Sequence, residues 1–104
     1  MKEVECLLLW NRLKFRCRGW TLNLVVGSKE GYCWESRKRL DIGLANCNPL
    51  RLLLHEVAHI GSFSQGNRHN QKWCDIYKML LKKYLPGIRI GRSDSLIMKI
   101  YGLR

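Results

Sequence analysis

A chain of 104 residues with 46% apolar content fits one domain, residues 1–104, with a modest core, and excludes a disordered polypeptide. Its five cysteines are odd in number, scattered and free of any Cys-x-x-Cys pair, which argues against a disulfide scaffold, a zinc ribbon or a redox dithiol. The net charge of +11 favours nucleic acid or an acidic protein surface as a partner, although a merely solvated basic surface has the same composition.

The apolar run Cys6-Leu7-Leu8-Leu9-Trp10 is too short for a signal-peptide core, and no small-residue cleavage site follows it. No apolar stretch approaches the length of a membrane span. The expectation is a cytoplasmic protein that does not associate with membranes.

Residues 2 to about 16 predict an amphipathic helix with Val4, Leu7 and Leu8, and Leu9 beside them, on the apolar side. Arg12, Lys14 and Arg16 give its end a basic character; a strand through Leu7 to Trp10 is the alternative. From Trp20 to Val26 the period changes to two, which predicts a strand with Trp20, Leu22, Leu24 and Val26 on one face. Tyr32 to Glu35 and Leu40 to Leu44 predict two more strands, separated by the turn-forming stretches Gly27–Gly31 and Ser36–Arg39. Three short strands joined by tight turns predict an antiparallel meander.

Asn48 then offers a helix N-cap and Pro49 a first helical position, so a helix is expected from Pro49 to Ile60, stopping near Gly61. Ser62 to Arg68 reads as a polar loop. A further helix is expected to start between Asn67 and Asn70 and to carry the stripe Trp73, Ile76, Tyr77, Leu80, Leu81 and Tyr84 before Pro86-Gly87 ends it. Ile88-Arg89-Ile90 is a short apolar piece, and a last helix runs from Ser93 to about Tyr101.

The chemistry lies in the helix that begins at Pro49. His55 and His59 stand four apart, so on a helix both imidazoles leave the same face, one turn apart. With Glu56 between them they form His-Glu-x-x-His, in which two neutral imidazoles hold zinc and the carboxylate takes a proton from the attacking water. Leu53, Leu54, Val57, Ala58 and Ile60 surround the motif with apolar side chains. Polar groups buried there without a partner would be costly, and a metal supplies one.

A catalytic zinc takes three protein ligands and keeps one position open. No glutamate follows Glu56, which excludes a downstream glutamate as the third ligand. The compact pattern with a third histidine in one short loop is also absent, because nine residues separate His59 from His69. His69 is therefore the preferred third ligand, placed in the first turn of the following helix, and Asp75 the weaker candidate. Cys74 is the nearest thiol that could close the site as a fourth ligand, although closed sites usually take paired cysteines.

Leu53-Leu54-His55-Glu56-Val57-Ala58-His59, a polar loop and then His69-Asn70-Gln71-Lys72-Trp73 resemble the SprT-like zinc metallopeptidases. In that family a histidine opens the helix after the motif, with glycine usually next and an aromatic residue four positions on. Trp73 occupies the aromatic position, while Asn70 departs from the glycine. The resemblance covers Leu40 to about Leu81 and implies a small α+β, zincin-like domain, with the meander packed against the motif helix and two or three further helices. It implies one catalytic Zn2+ held by His55, His59 and His69, Glu56 as the general base and a protein or peptide substrate. The chain lacks the zinc ribbon and extra domains of larger members and looks like a minimal catalytic core, as in small phage and mobile-element members. Action on DNA-associated proteins, with DNA bound through the basic surface, is the further expectation. The principal alternative is a basic nucleic-acid-binding module whose zinc serves only the fold. Oligomeric state is not indicated.

Overall fold

The computed structural model describes residues 2–62, 69–88 and 91–101. Among these residues, four helices and one mixed sheet form a small α+β domain: α1 (Lys2–Leu13), β1 (Thr21–Val25), β2 (Gly31–Trp34), β3 (Arg39–Gly43), α2 (Pro49–Ser62), α3 (Gln71–Tyr84) and α4 (Arg92–Tyr101). Helix α2 is the centre of the fold, packed on α3, α1, β2 and β3. Leu53, Leu54, Val57 and Ala58 fill its buried sides against Leu40 and Ile42 of β3, Leu9 and Leu13 of α1, and Trp73, Tyr77 and Leu80 of α3.

The sheet corrects the expected antiparallel meander. Its order is β1-β3-β2, with β1 parallel to β3 and only β2 antiparallel to it. The β2–β3 hairpin is tight, closed by a 3-10 turn at Glu35–Arg37 and by Lys38 in the left-handed conformation. The connection from β1 to β2, by contrast, must span two strand spacings, about 9–10 Å, because β3 lies between them. The end of β3 is tied into that connection: Gly43 N–H donates to the Glu30 carbonyl at 2.9 Å and Ala45 N–H to the Ser28 carbonyl at 2.9 Å. Gly43 makes the passage possible, since a Cβ there would lie 2.3 Å from the Ser28 carbonyl oxygen. Alternating apolar residues specify strands and faces, but not which strand is inserted between two others.

Helix α1 corrects a second expectation. It buries Cys6, Leu9 and Leu13, while Val4, Leu7 and Leu8 face outward. Cys6, Leu9, Trp10 and Leu13 form one stripe at helical spacing and Val4, Leu7 and Leu8 another on the opposite side, so periodicity alone offered two faces. The helix also ends earlier than expected, at Leu13.

Asn48 caps α2, its side-chain oxygen accepting from Arg51 N–H at 3.1 Å. Gly61 does not end this helix, which runs to Ser62; instead it lets α3 approach, a Cβ there falling 2.9 Å from Ile76 Cδ1. The expected loop over residues 63–68 lies outside the described residues, as do residues 89 and 90 of the short apolar piece. Asn70 caps α3 by accepting from Trp73 N–H at 2.7 Å, which places His69 just before the cap rather than in the first turn. Among the described residues, no helix is long and apolar enough to cross a membrane.

Candidate metal centre

The i, i+4 spacing in α2 brings the His55 and His59 rings to 5.2 Å between centroids. His69 reaches back from the start of α3 and completes a near-equilateral triangle, 5.1 Å from His55 and 4.9 Å from His59. One ring nitrogen from each histidine lies within 4.8 Å of the others, so the three can hold a metal ion. The Nε2 atoms of His55 and His69 are 3.1 Å apart. Two imidazole nitrogens sharing a tetrahedral ion at about 2.0–2.1 Å would sit roughly 3.3 Å apart, close to what the chain holds ready.

Trp73 builds the wall behind this triangle. Its ring is fully buried, 4.8 Å from the His55 ring and 4.3 Å from the His69 ring, and its indole N–H donates to the His55 carbonyl at 3.1 Å. The bond ties α3 to α2 beside the ligands and fixes the distance across which His69 reaches. Asp75 takes no part: it is exposed and accepts from the Gln71 amide at 3.0 Å. Cys74 is buried but is not in the cluster, which among the described residues comprises the three histidines alone.

Local spacing in the sequence did not indicate Asp94. It stands in the first turn of α4, with one carboxylate oxygen 3.0 Å from His55 Nδ1 and the other accepting from the Tyr77 hydroxyl at 2.7 Å. This contact assigns the His55 proton to Nδ1 and leaves the Nε2 lone pair facing the other imidazoles, as metal-binding histidines usually arrange it. Burial pushes the Asp94 carboxyl up, but the hydrogen bond and charge of His55, the Tyr77 hydroxyl and Arg51 outweigh it and hold it below the usual value. Burial, reinforced by Asp94, pushes the Tyr77 hydroxyl far up, so it remains a donor. A signal for Tyr77 existed, four residues after Trp73 on one face of α3. Asp94 gave none, being brought in from a helix that local patterns could not dock.

Glu56 lies on the same side of the cluster, with Oε2 3.9 Å from His55 Nε2, and is almost fully buried. Burial raises its carboxyl to about 7, with His55 opposing and Asp94 adding to the rise. Next to it runs β2, close enough that a Cβ on Gly31 would lie 3.0 Å from Glu56 Oε2. Between them opens a cavity of about 530 Å³ that exposes His55, Glu56 and His69, with Glu30, Gly31 and Tyr32 on one side and Arg51 and Asp94 on the other. Arg51 is four residues before His55 and shares its helix face, a spacing visible in the sequence. Three imidazole donors, an adjacent carboxylate and an open approach can together hold an ion and present a proton acceptor to whatever enters.

Comparison with protein-family models, curated proteins and solved structures found no match to this chain.

Proposed function

We propose that the chain is a zinc metallopeptidase of the SprT-like, zincin type, in which His55, His59 and His69 hold Zn2+ and Glu56 is the general base. The observation that carries this reading is the convergence of three imidazoles, two of which, His55 and His69, line an open cavity together with Glu56, 3.9 Å from His55. A zinc that serves only the fold normally has four protein ligands, and the described residues offer three. Three neutral nitrogen donors suit zinc better than the hard oxygen-seeking cations. When bound, the ion supplies Lewis acidity, polarising a scissile carbonyl and making water a stronger acid.

The chain's own residues supply the rest. Burial raises Glu56 to about 7 in the metal-free site, and a cation on the histidines would bring it down again. The carboxylate beside them is then free to accept a proton and hand it to the leaving amine. His55 is held in orientation by Asp94, and His69 by the Trp73 wall. The outer edge of β2, unpaired among the described residues, runs past Glu56 with no side chain at Gly31 to obstruct it. An extended peptide could add to that edge as a further strand, with its backbone facing the carboxylate.

The test uses protein purified without chelator: zinc per chain by elemental analysis, and cleavage of casein followed by gel. Wild type is expected to carry one zinc and to cleave. Glu56→Gln is expected to keep the zinc and lose turnover by about 10²–10⁴-fold, the usual contribution of a general base. Cleavage by Glu56→Gln at the wild-type rate, or a folded wild type that binds no zinc, would overturn the proposal.

A further inference from the structure

The cations of this chain are not evenly distributed against its acids. No aspartate or glutamate occurs between Glu5 and Glu30, a stretch containing Arg12, Lys14, Arg16 and Arg18. None occurs between Asp75 and Asp94, a stretch containing Lys82 and Lys83. The fold brings these two stretches to one end of the molecule. Arg12, in the last turn of α1, lies 4.8 Å from the centroid of the Tyr84 ring, and Lys83, in the last turn of α3, 5.4 Å from the same ring. All six cations are exposed, and none is in an ion pair among the described residues.

Cations in the last turn of a helix complement its dipole, which accounts for Arg12, Lys82 and Lys83. It does not account for Lys14, Arg16 and Arg18, which lie beyond α1. That segment is fixed in place: Cys17, buried between Arg16 and Arg18, anchors it in the core, and Cys17 N–H donates to the Lys14 carbonyl at 3.1 Å. The anchoring turns the neighbouring side chains outward. Phe15 is 77% exposed, with the Arg18 guanidinium 5.3 Å from its ring centroid. An aromatic face beside a guanidinium and a row of unpaired cations is the combination that stacks a base while tracking the phosphates of an unpaired strand. Insertion of the same ring into a lipid surface would drag the stacked Arg18 charge toward the apolar layer, at a desolvation cost.

We propose that this end of the molecule, the 14–18 segment with the last turns of α1 and α3, binds single-stranded nucleic acid, with Phe15 as the stacking platform and the six cations on phosphates. It does not rest on the metal site. Trp73 and Tyr84 are eleven residues apart on α3, about 16 Å along the axis, so a strand bound here leaves the cavity uncovered.

The test is fluorescence anisotropy of a labelled twenty-nucleotide oligothymidylate titrated with the full chain at several salt concentrations. With four to six phosphates neutralised, the slope of log K against log salt is expected to be about −3 to −4. Arg16→Glu, Arg18→Glu, Lys82→Glu and Lys83→Glu combined should weaken binding more than tenfold and flatten the slope. Lys2→Glu, Lys29→Glu, Arg37→Glu and Lys99→Glu combined carry the same net charge and should weaken it much less. Phe15→Ala should weaken it roughly fivefold or more without changing the slope, as expected for a lost stacking contact. Circular dichroism confirms that each variant is folded. Equal loss in the two charge-reversed variants would reduce the effect to overall charge and overturn the proposal. So would an unchanged affinity in Phe15→Ala, or binding to phosphatidylserine vesicles in place of the oligonucleotide.

Discussion

Replacing Asp94 by asparagine removes one charge and almost no volume from the centre of the site. The amide can still accept from His55 Nδ1–H through its oxygen, in place of the carboxylate oxygen now at 3.0 Å. Its NH2 can only donate to the Tyr77 hydroxyl oxygen, so that the hydroxyl proton now given to Asp94 at 2.7 Å loses its acceptor. The fold should survive the loss of that one acceptor, since the His55 contact and a hydrogen bond to Tyr77 are kept, whereas Asp94→Ala would leave two buried donors without any partner, at about 1–3 kcal/mol each. What Asp94→Asn loses is the negative charge of the carboxylate that fixes the His55 ring at 3.0 Å. Loss of such a partner typically weakens metal affinity 10–100-fold, or about 1.4–2.8 kcal/mol. Zinc at a hundred times the wild-type Kd would stabilise wild type by about 2.7 kcal/mol, but a variant bound a hundredfold more weakly by only about 0.4 kcal/mol. At roughly 4–8 °C per kcal/mol for a domain of this size, the zinc-induced rise in Tm should fall from about 11–22 °C to about 2–3 °C for a hundredfold loss, or about 6–11 °C for a tenfold one. The assay is competition for zinc with a chromophoric chelator, beside thermal melts with and without the metal. Equal zinc affinity in Asp94→Asn and wild type would refute the role assigned to Asp94, and with it the part of α4 in building the site.

The thiols provide a test of burial that does not depend on metal. Cys33 is half-buried, and burial, followed by Glu56, Glu35 and Cys17, pushes it up to about 12, whereas Cys47 is exposed. A raised pKa keeps the thiol neutral, so at pH 8 only about one Cys33 in ten thousand is the reactive thiolate, and its labelling by a disulfide reagent should accelerate tenfold per pH unit up to about 12. Cys47 should react first; a Cys33→Ser variant identifies the slow phase, and a pH-independent slow phase would contradict the assignment. Two glycines should respond in opposite ways to alanine in urea unfolding. Gly43→Ala drives a Cβ against the Ser28 and Glu30 carbonyl oxygens, backbone atoms that cannot move independently, and should cost at least about 1–3 kcal/mol. Gly61→Ala meets only the far end of the Ile76 side chain inside a helix, so the gain in helix propensity, up to about 1 kcal/mol, should leave stability unchanged or slightly higher. An unchanged stability in Gly43→Ala would mean that β3 does not pass against the Ser28 and Glu30 carbonyls, and a large loss in Gly61→Ala that Ile76 cannot give way.

What could be read from the sequence was what local spacing encodes. His55 and His59 share a helix face by their separation alone, and His69 precedes a helix whose cap, Asn70, and apolar stripe are both visible in the chain. Strand positions were recoverable for the same reason, Leu40 and Ile42 falling on the buried face that alternation predicts. Local spacing could not settle choices between physically similar alternatives, such as which of two apolar faces α1 turns inward, or how a distant helix docks. Asp94 follows His55 by 39 residues and reaches it only because α4 returns across α3, a contact with no periodic signature.

The strand order has the largest functional consequence. In the expected meander β2 would have been the middle strand, hydrogen-bonded on both sides. Insertion of β3 between β1 and β2, which Gly43 permits by lacking a side chain, makes β2 an edge strand instead. Its outer edge then borders the cavity beside Glu56, and Gly31 removes the side chain that would have stood between strand and carboxylate. On the proposed reading, two glycines with no metal-binding chemistry of their own thus decide whether an extended peptide would reach the histidine triangle. The motif defines which atoms can hold the ion, and the position of β3 defines which backbone can be presented to it.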